Sequence, residues 1–168
     1  MRHPLVLEEL RAEIAAKCRD GEALSRADLL KLPYLQNVLK EVLRLYPPVP
    51  INTRTTIRDI VLPTGGGPTL TSPILIPAGS EVAWSAYALH RRADLYGMDA
   101  ESFRPGRWDE DMPIKNDPVS MKWGYLPFHG GPRVCLGSKL YSFHGWNRTG
   151  KIADLTQWIS RLLKLDIQ

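Results

Sequence analysis

A chain of 168 residues, 43% hydrophobic and 24% charged, has apolar material for one sizeable core and does not belong to the disordered class. Its net charge of +4 comes from 22 basic and 18 acidic residues scattered along helices and turns, with no aromatic platforms between the basic groups, which argues against nucleic acid as a partner. There is no run of about 18 apolar residues, the start "MRHPLVLEEL" lacks a signal-peptide pattern, and so this chain is read as carrying no membrane anchor.

From Pro4 to Lys17, Leu7, Leu10, Ile14 and the Ala15/Ala16 pair recur at helical spacing, with Pro in the first turn and Gly21 past the end. This predicts an amphipathic helix. Ser25 reads as the N-cap of a short helix, and a longer one follows from about Tyr34 to Leu45, ended by Pro47 and Pro48. After Pro50 the β-branched stretches "INTRTTIRDIVLP" and "ILIPAGSEVAWSAYALH", separated by the loop "TGGGPTLTSP", predict short strands. Arg91 to Trp123 is charged and rich in Pro, Asp and Trp, which predicts an ordered meander over a core. "CLGSKLYSF" is read as starting a helix that "HGWNRTG" interrupts, and the apolar stripe from Ile152 to Leu163 restores helical spacing. The organisation expected is a single partial domain over 1–168: helices at 4–46, strands at 50–90, the meander at 91–127, a cysteine loop and following helix at 128–143, and an atypical tail at 144–168.

The two cysteines, Cys18 and Cys135, lie too far apart in sequence for a disulfide framework and are read as free thiols in a reducing compartment. Cys18 is a small buried hydrophobe of the first helix. Cys135 differs, because "PFHGGPRVCLG" supplies what a thiolate ligand of a flat cofactor needs. Gly130 and Gly131 permit positive φ before Pro132, and Arg133 places a cation two residues before the thiol. Gly137 leaves room for close approach at a helix start, and Phe128 is placed to shield the sulfur. A haem iron held by cysteine thiolate is the ligation that favours O–O cleavage.

Phe128, Gly131, Arg133, Cys135 and Gly137 fill F-x-x-G-x-R-x-C-x-G, which resembles the haem-binding signature of the cytochrome P-450 monooxygenases. Glu41-Val-Leu-Arg44 matches the family's E-x-x-R, and "FRPGRW" matches the element whose arginine, here Arg107, joins Glu41 and Arg44 in a structural charged brace. The resemblance implies haem b with its iron on Cys135, and Arg54 and Arg133 on the propionates. It names no residue of this chain as catalytic. The implied fold is mainly α with a small β-sheet, the incomplete C-terminal, haem-proximal part of the family's fold.

"WSAYALHRRADLYGMDAESFRPGRW" and "LPTGGGPTLTSPILIPAGS" are similar to the fungal branch that hydroxylates n-alkanes and fatty acids. What this implies for the complete enzyme is a haem-thiolate oxidoreductase of the endoplasmic reticulum membrane, on its cytosolic face and anchored through an N-terminal part. It would use O₂, electrons from an NADPH-dependent flavoprotein reductase received on a basic face near Arg133 and Lys139, and an apolar small-molecule substrate.

The resemblance covers roughly residues 4 to 143, and no A-G-x-D/E-T-T-like segment occurs in the chain. The isolated chain is therefore expected to be inactive, with a truncated or misspliced product, or a small haem-binding module, as the alternatives. An insertion between Ser138 and Asp154 accounts for Gly145 and Gly150 where a helix should continue. His90, His129 and His144 lack zinc spacing, "GGG" at Gly65 to Gly67 lacks the Lys-Ser/Thr of a phosphate cradle, and Trp84, Trp108 and Trp123 read as packing residues.

Overall fold

The computed structural model describes residues 3–17 and 25–138, apart from the side chain of Arg26. Cys18, Lys139, His144, the helix expected after Cys135, the insertion and the tail stripe lie outside the described residues. The elements in chain order are α1 (Pro4–Lys17), α2 (Arg26–Leu30), α3 (Pro33–Leu45), β1 (Ile51–Thr55), β2 (Ile60–Gly66), β3 (Ser72–Ile76), β4 (Glu81–Ser85), α4 (Ala86–Leu89), α5 (Ala93–Tyr96) and α6 (Pro118–Trp123). Single 3-10 turns occur at Pro105–Trp108, Pro113–Asn116 and Gly131–Arg133.

Helix α1 buries Leu7, Leu10 and Ile14 on one stripe. Ala15 and Ala16 face solvent, since they lie about 100° and 200° around the helix from Ile14, so their contribution is helix propensity rather than core. The stripe packs on Leu29, Leu32, Leu35, Val38, Leu39 and Val42 of α2, α3 and their joint. Ser25 caps α2 in a capping box. Its hydroxyl accepts from the Asp28 amide at 3.3 Å, and the Asp28 carboxylate accepts from the Ser25 amide at 3.0 Å. Helix α3 starts at Leu32, whose side chain cannot cap; α1 supplies the missing acceptor. The Glu13 carboxylate takes the Tyr34 and Leu35 amides at 2.8 and 2.9 Å, so two orphan donors of α3 are satisfied by a neighbouring helix.

The strands form two antiparallel pairs, β1 with β4 and β2 with β3. In the first, Ile51 faces Ser85 and Arg54 faces Val82; in the second, Ile60 faces Ile76, and the register shifts between Leu62 and Gly66. The Gly-rich loop closes β2 onto β3 with Gly65 and Gly67 at φ 113° and 72°, conformations open to glycine. Ala86–Leu89, read from sequence as strand, is helical instead. Ser85 ends β4 and caps α4 by accepting from the Ala88 amide at 3.1 Å, which turns the chain out of the sheet.

The meander is built of single helical turns over a second small core of Leu95, Tyr96, Ala100, Met112 and Ile114. No helix among the described residues is long and apolar enough to cross a membrane.

The packing makes Glu13 a helix cap rather than a surface charge. Glu13→Ala should lower stability by about 1 kcal/mol in urea unfolding, at unchanged denaturant slope.

Candidate functional site

The centre of the described structure is polar. Glu41, Arg44 and Arg107 are all 0% exposed. The Glu41 carboxylate accepts from Arg44 Nε at 2.9 Å and Nη2 at 2.8 Å, a bidentate pair between neighbours on one turn of α3. It also accepts from Arg107 Nε at 2.8 Å, the Arg104 amide at 3.0 Å and the Trp108 indole at 3.1 Å.

The two guanidiniums spend their remaining donors on backbone. Arg44 Nη1 donates to the carbonyls of His90 and Ala100 at 2.7 and 2.5 Å, and Nη2 to Ser102 at 3.1 Å. Arg107 donates to the carbonyls of Tyr96, Asp99 and Ser102 at 2.9, 2.9 and 3.0 Å and to the Asp99 carboxylate at 3.1 Å. Every N–H of both arginines has an acceptor, as burial of such groups requires. Asp99, held by Arg104 at 2.6 Å and then by Arg107, has its carboxyl lowered from 3.8 to about 2.

His90, also 0% exposed, lies against this cluster. Its Nε2 takes the Leu126 amide proton at 2.8 Å, so the ring proton sits on Nδ1, which donates to the Arg44 carbonyl at 3.1 Å. Burial, aided by the charges of Arg44 and Arg91, pushes the imidazole down from 6.5 to about 4.

The chain then enters the cysteine loop through three tethered residues. The Gly124 carbonyl accepts from the Tyr96 hydroxyl at 3.0 Å, the Tyr125 hydroxyl donates to the Lys40 carbonyl of α3 at 3.2 Å, and Leu126 is held by His90. Within the loop the positive φ values fall on His129 (62°) and Gly131 (68°). Gly130 is extended at φ −146°, so its freedom of conformation is not what the loop uses. A Cβ there would meet the Trp123 ring at 2.8 Å, so close packing is what favours glycine.

The Cys135 amide closes the loop on the Phe128 carbonyl at 3.0 Å, and the thiol is exposed. Phe128 is half-buried, and a Cβ at Gly137 would stand 3.5 Å from the Cys135 sulfur, in ordinary contact. Arg54 and Arg133, 79 positions apart in sequence (133 minus 54), line one cleft of about 470 Å³ with Trp84, Leu89, Trp123, Leu126, His129 and Gly130. Cys135 lies just past this lining.

The cleft is within the range of about 300–1,000 Å³ typical of small-ligand sites. Its walls are apolar and two guanidiniums line it, while the exposed Cys135, two residues after Arg133, is not part of the lining. An apolar group with two anionic substituents suits that lining. Arg54 stacks over Trp84 at 5.3 Å, and Asn52 donates to the His129 ring at 2.6 Å. His90, Tyr96, Asp99 and the indole of Trp108 have no local sequence signal for these roles, because their partners are fixed only by the tertiary fold. Among the described residues no group of three metal-ligating side chains forms.

A family model described as "Cytochrome P450" matches residues 1–141. The cytochrome P450 monooxygenase milC of Cordyceps militaris is 48% identical over 141 residues, 82% of this chain and 25% of that protein. Cytochrome P450 52-N1 of Starmerella bombicola is 44% identical over 82% of this chain and 27% of its own length, and Cytochrome P450 52A6 of Candida tropicalis is 46% identical over 82% and 26%. The chain thus spans about a quarter of these curated relatives. The solved structure of retinoic-acid-bound cyanobacterial CYP120A1 superposes with a TM-score of 0.66 at 30% identity, over 96% of this chain and 31% of that one.

Two outcomes follow from the polar centre. Glu41→Gln leaves two buried guanidiniums without their shared anion and should cost about 3–5 kcal/mol in denaturant unfolding. Because His90 is neutral when folded and the unfolded chain takes up its proton near 6.5, stability from this group is full above that pH. It is lost as pH falls toward about 4, by about 3 kcal/mol in all, which a pH series of urea midpoints reads directly. Asp99 acts in a lower window: its contribution is full above about 3.8 and disappears as pH falls through about 2.

Proposed function

Because the chain belongs to the cytochrome P-450 family, we propose that it is the haem-proximal part of a haem-thiolate monooxygenase, in which the Cys135 thiolate would hold the iron of haem b. The observation that carries this reading is an exposed thiol two residues beyond Arg133, in a loop whose arginine shares an apolar cleft with Arg54. When bound, such a haem supplies oxygen activation at an iron whose thiolate ligand pushes electron density toward O–O cleavage.

The chain's own residues do the holding. The Cys135 thiolate would bind the metal, and Arg133 and Arg54, which line one cleft, would meet the two propionates as charge-assisted partners. The apolar walls at Trp84, Leu89, Trp123 and Leu126 keep water from the ring edge. Gly131 and Gly137 shape the loop for close approach of a planar group, and Phe128 anchors it through the Cys135 amide. Glu41, Arg44 and Arg107 act as the brace that fixes the meander under this loop.

The complete enzyme, in this reading, hydroxylates apolar substrates such as n-alkanes or fatty acids. It does so with O₂ and electrons from an NADPH-dependent flavoprotein reductase, at the cytosolic face of the endoplasmic reticulum membrane, to which it is attached by a part outside this chain. Support for the substrate class comes from the likeness of the strand and meander sequences quoted above to the fungal branch that hydroxylates n-alkanes and fatty acids. A second reading, weighed from the sequence, is a chain that holds haem without turnover, because no A-G-x-D/E-T-T-like segment occurs in these residues.

Reconstitution with haem, reduction and exposure to carbon monoxide should give the red-shifted Soret band of thiolate ligation, and Cys135→Ala should abolish it. A histidine-type band, or none, overturns the assignment. With reductase, NADPH and a fatty acid added, substrate-dependent NADPH consumption supports the monooxygenase reading, and the band without consumption supports the second.

A further inference from the structure

The entry residues 124–126 tie the loop that presents Cys135 to α3 and to the surroundings of the Glu41 cluster. Tyr96, which holds Gly124, lies under the Arg44 guanidinium at 5.1 Å, and Tyr125 reaches the Lys40 carbonyl. The tether at Leu126 runs through both edges of one imidazole ring. His90 Nδ1 donates to the carbonyl of Arg44, and the carbonyl of His90 accepts from the Arg44 guanidinium, at 3.1 and 2.7 Å. Arg44 and His90 therefore grip one another reciprocally. The far side of the same ring takes the Leu126 amide at 2.8 Å, and the ring lies tilted over Tyr125 at 5.3 Å. Leu126 lines the cleft and stands two residues before Phe128, whose carbonyl holds the Cys135 amide.

We propose that His90 is a positioning residue for the cysteine loop, transmitting the fixed location of the buried cluster to Leu126 and thence to Phe128 and Cys135. The proposal rests on the haem-thiolate reading for its spectroscopic consequence, and on geometry alone for its effect on Leu126. The neutral imidazole with its proton on Nδ1 suits the task because it offers a donor on one edge and an acceptor about 2 Å away on the other, in a rigid ring. An amide side chain offers one of these positions at a time. Asn places its terminal group near Nδ1 and retains the bond to Arg44, whereas Gln reaches the place of Nε2 and retains the acceptor for Leu126.

The test is made on the full chain with His90→Asn and His90→Gln, two amides that both give up the ring. In the haem-free chain at pH 7, hydrogen exchange of the Leu126 amide should be about 5- to 10-fold faster in His90→Asn than in His90→Gln, the factor that one net hydrogen bond supplies. In the haem-loaded chain the thiolate-type carbon monoxide band should survive in His90→Gln and fall several-fold in His90→Asn. Equal exchange in the two variants overturns the proposal. A general loss of stability would move both variants together and would not separate them.

If the wild-type chain shows no thiolate band, the haem reading fails while the exchange comparison still decides the role of His90. If either variant does not fold, nitrogen chemical shifts of the wild-type ring decide instead. A protonated Nδ1 with a hydrogen-bonded, unprotonated Nε2 supports the proposal, and the opposite tautomer overturns it.

Discussion

The path of the meander over α3 depends on one buried carboxylate. Glu41 is fully buried and accepts five hydrogen bonds, from Arg44 twice, Arg107, Trp108 and the amide of Arg104. A buried anion of this kind is tolerable only when its lone pairs are satisfied, and the same holds for the two cations beside it. The requirement acts outward: Arg44 and Arg107 need acceptors for all their remaining N–H groups, and the segment from Tyr96 to Ser102 turns its carbonyls inward to provide them. An irregular stretch of chain thereby obtains a defined path without strands or long helices.

The cluster also joins the two apolar cores. Helix α3 contributes Leu35, Val38, Leu39 and Val42 to the first core, and Glu41 and Arg44 project from that same helix toward the second, built on Tyr96, Ala100 and Met112. Asn37 adds a bond from its buried amide to Asp109 at 2.8 Å. Helix α3 is thus apolar toward α1 and polar toward the meander, and burial on both sides explains why its charged residues are as inaccessible as its leucines.

Much of this was legible in the residues. Leu7, Leu10 and Ile14 carry the period of α1, Ser25 announces α2, and the Pro47-Pro48 pair marks the end of α3. The residues Glu41, Arg44 and Arg107 were legible as a group only through motif spacing, because 66 positions separate Glu41 from Arg107 and no local rule links them. The helical turn at Ala86 reads as strand from sequence because four apolar residues continue directly from β4, and only the capping Ser85 marks the change. The positive φ of His129 was not legible, since a loop residue of any type can be driven there when tertiary contacts, here Asn52 and Trp84, hold its ring. His90 was visible only as a histidine without a metal spacing; its partners lie 46 and 36 residues away.

The meander's attachment is made to peptide carbonyls, which every residue type possesses. Within Tyr96 to Ser102 the side chain itself takes part at Tyr96 and Asp99, Gly97 holds a φ of 87° that favours glycine, and Ala100 is buried in the second core, so the latitude lies at the exposed positions. Met98, 95% exposed in the middle of this segment, illustrates the latitude. An exposed position of this kind can carry a label, a charge or a new contact while the carbonyls beneath it go on holding the backbone to the two arginines.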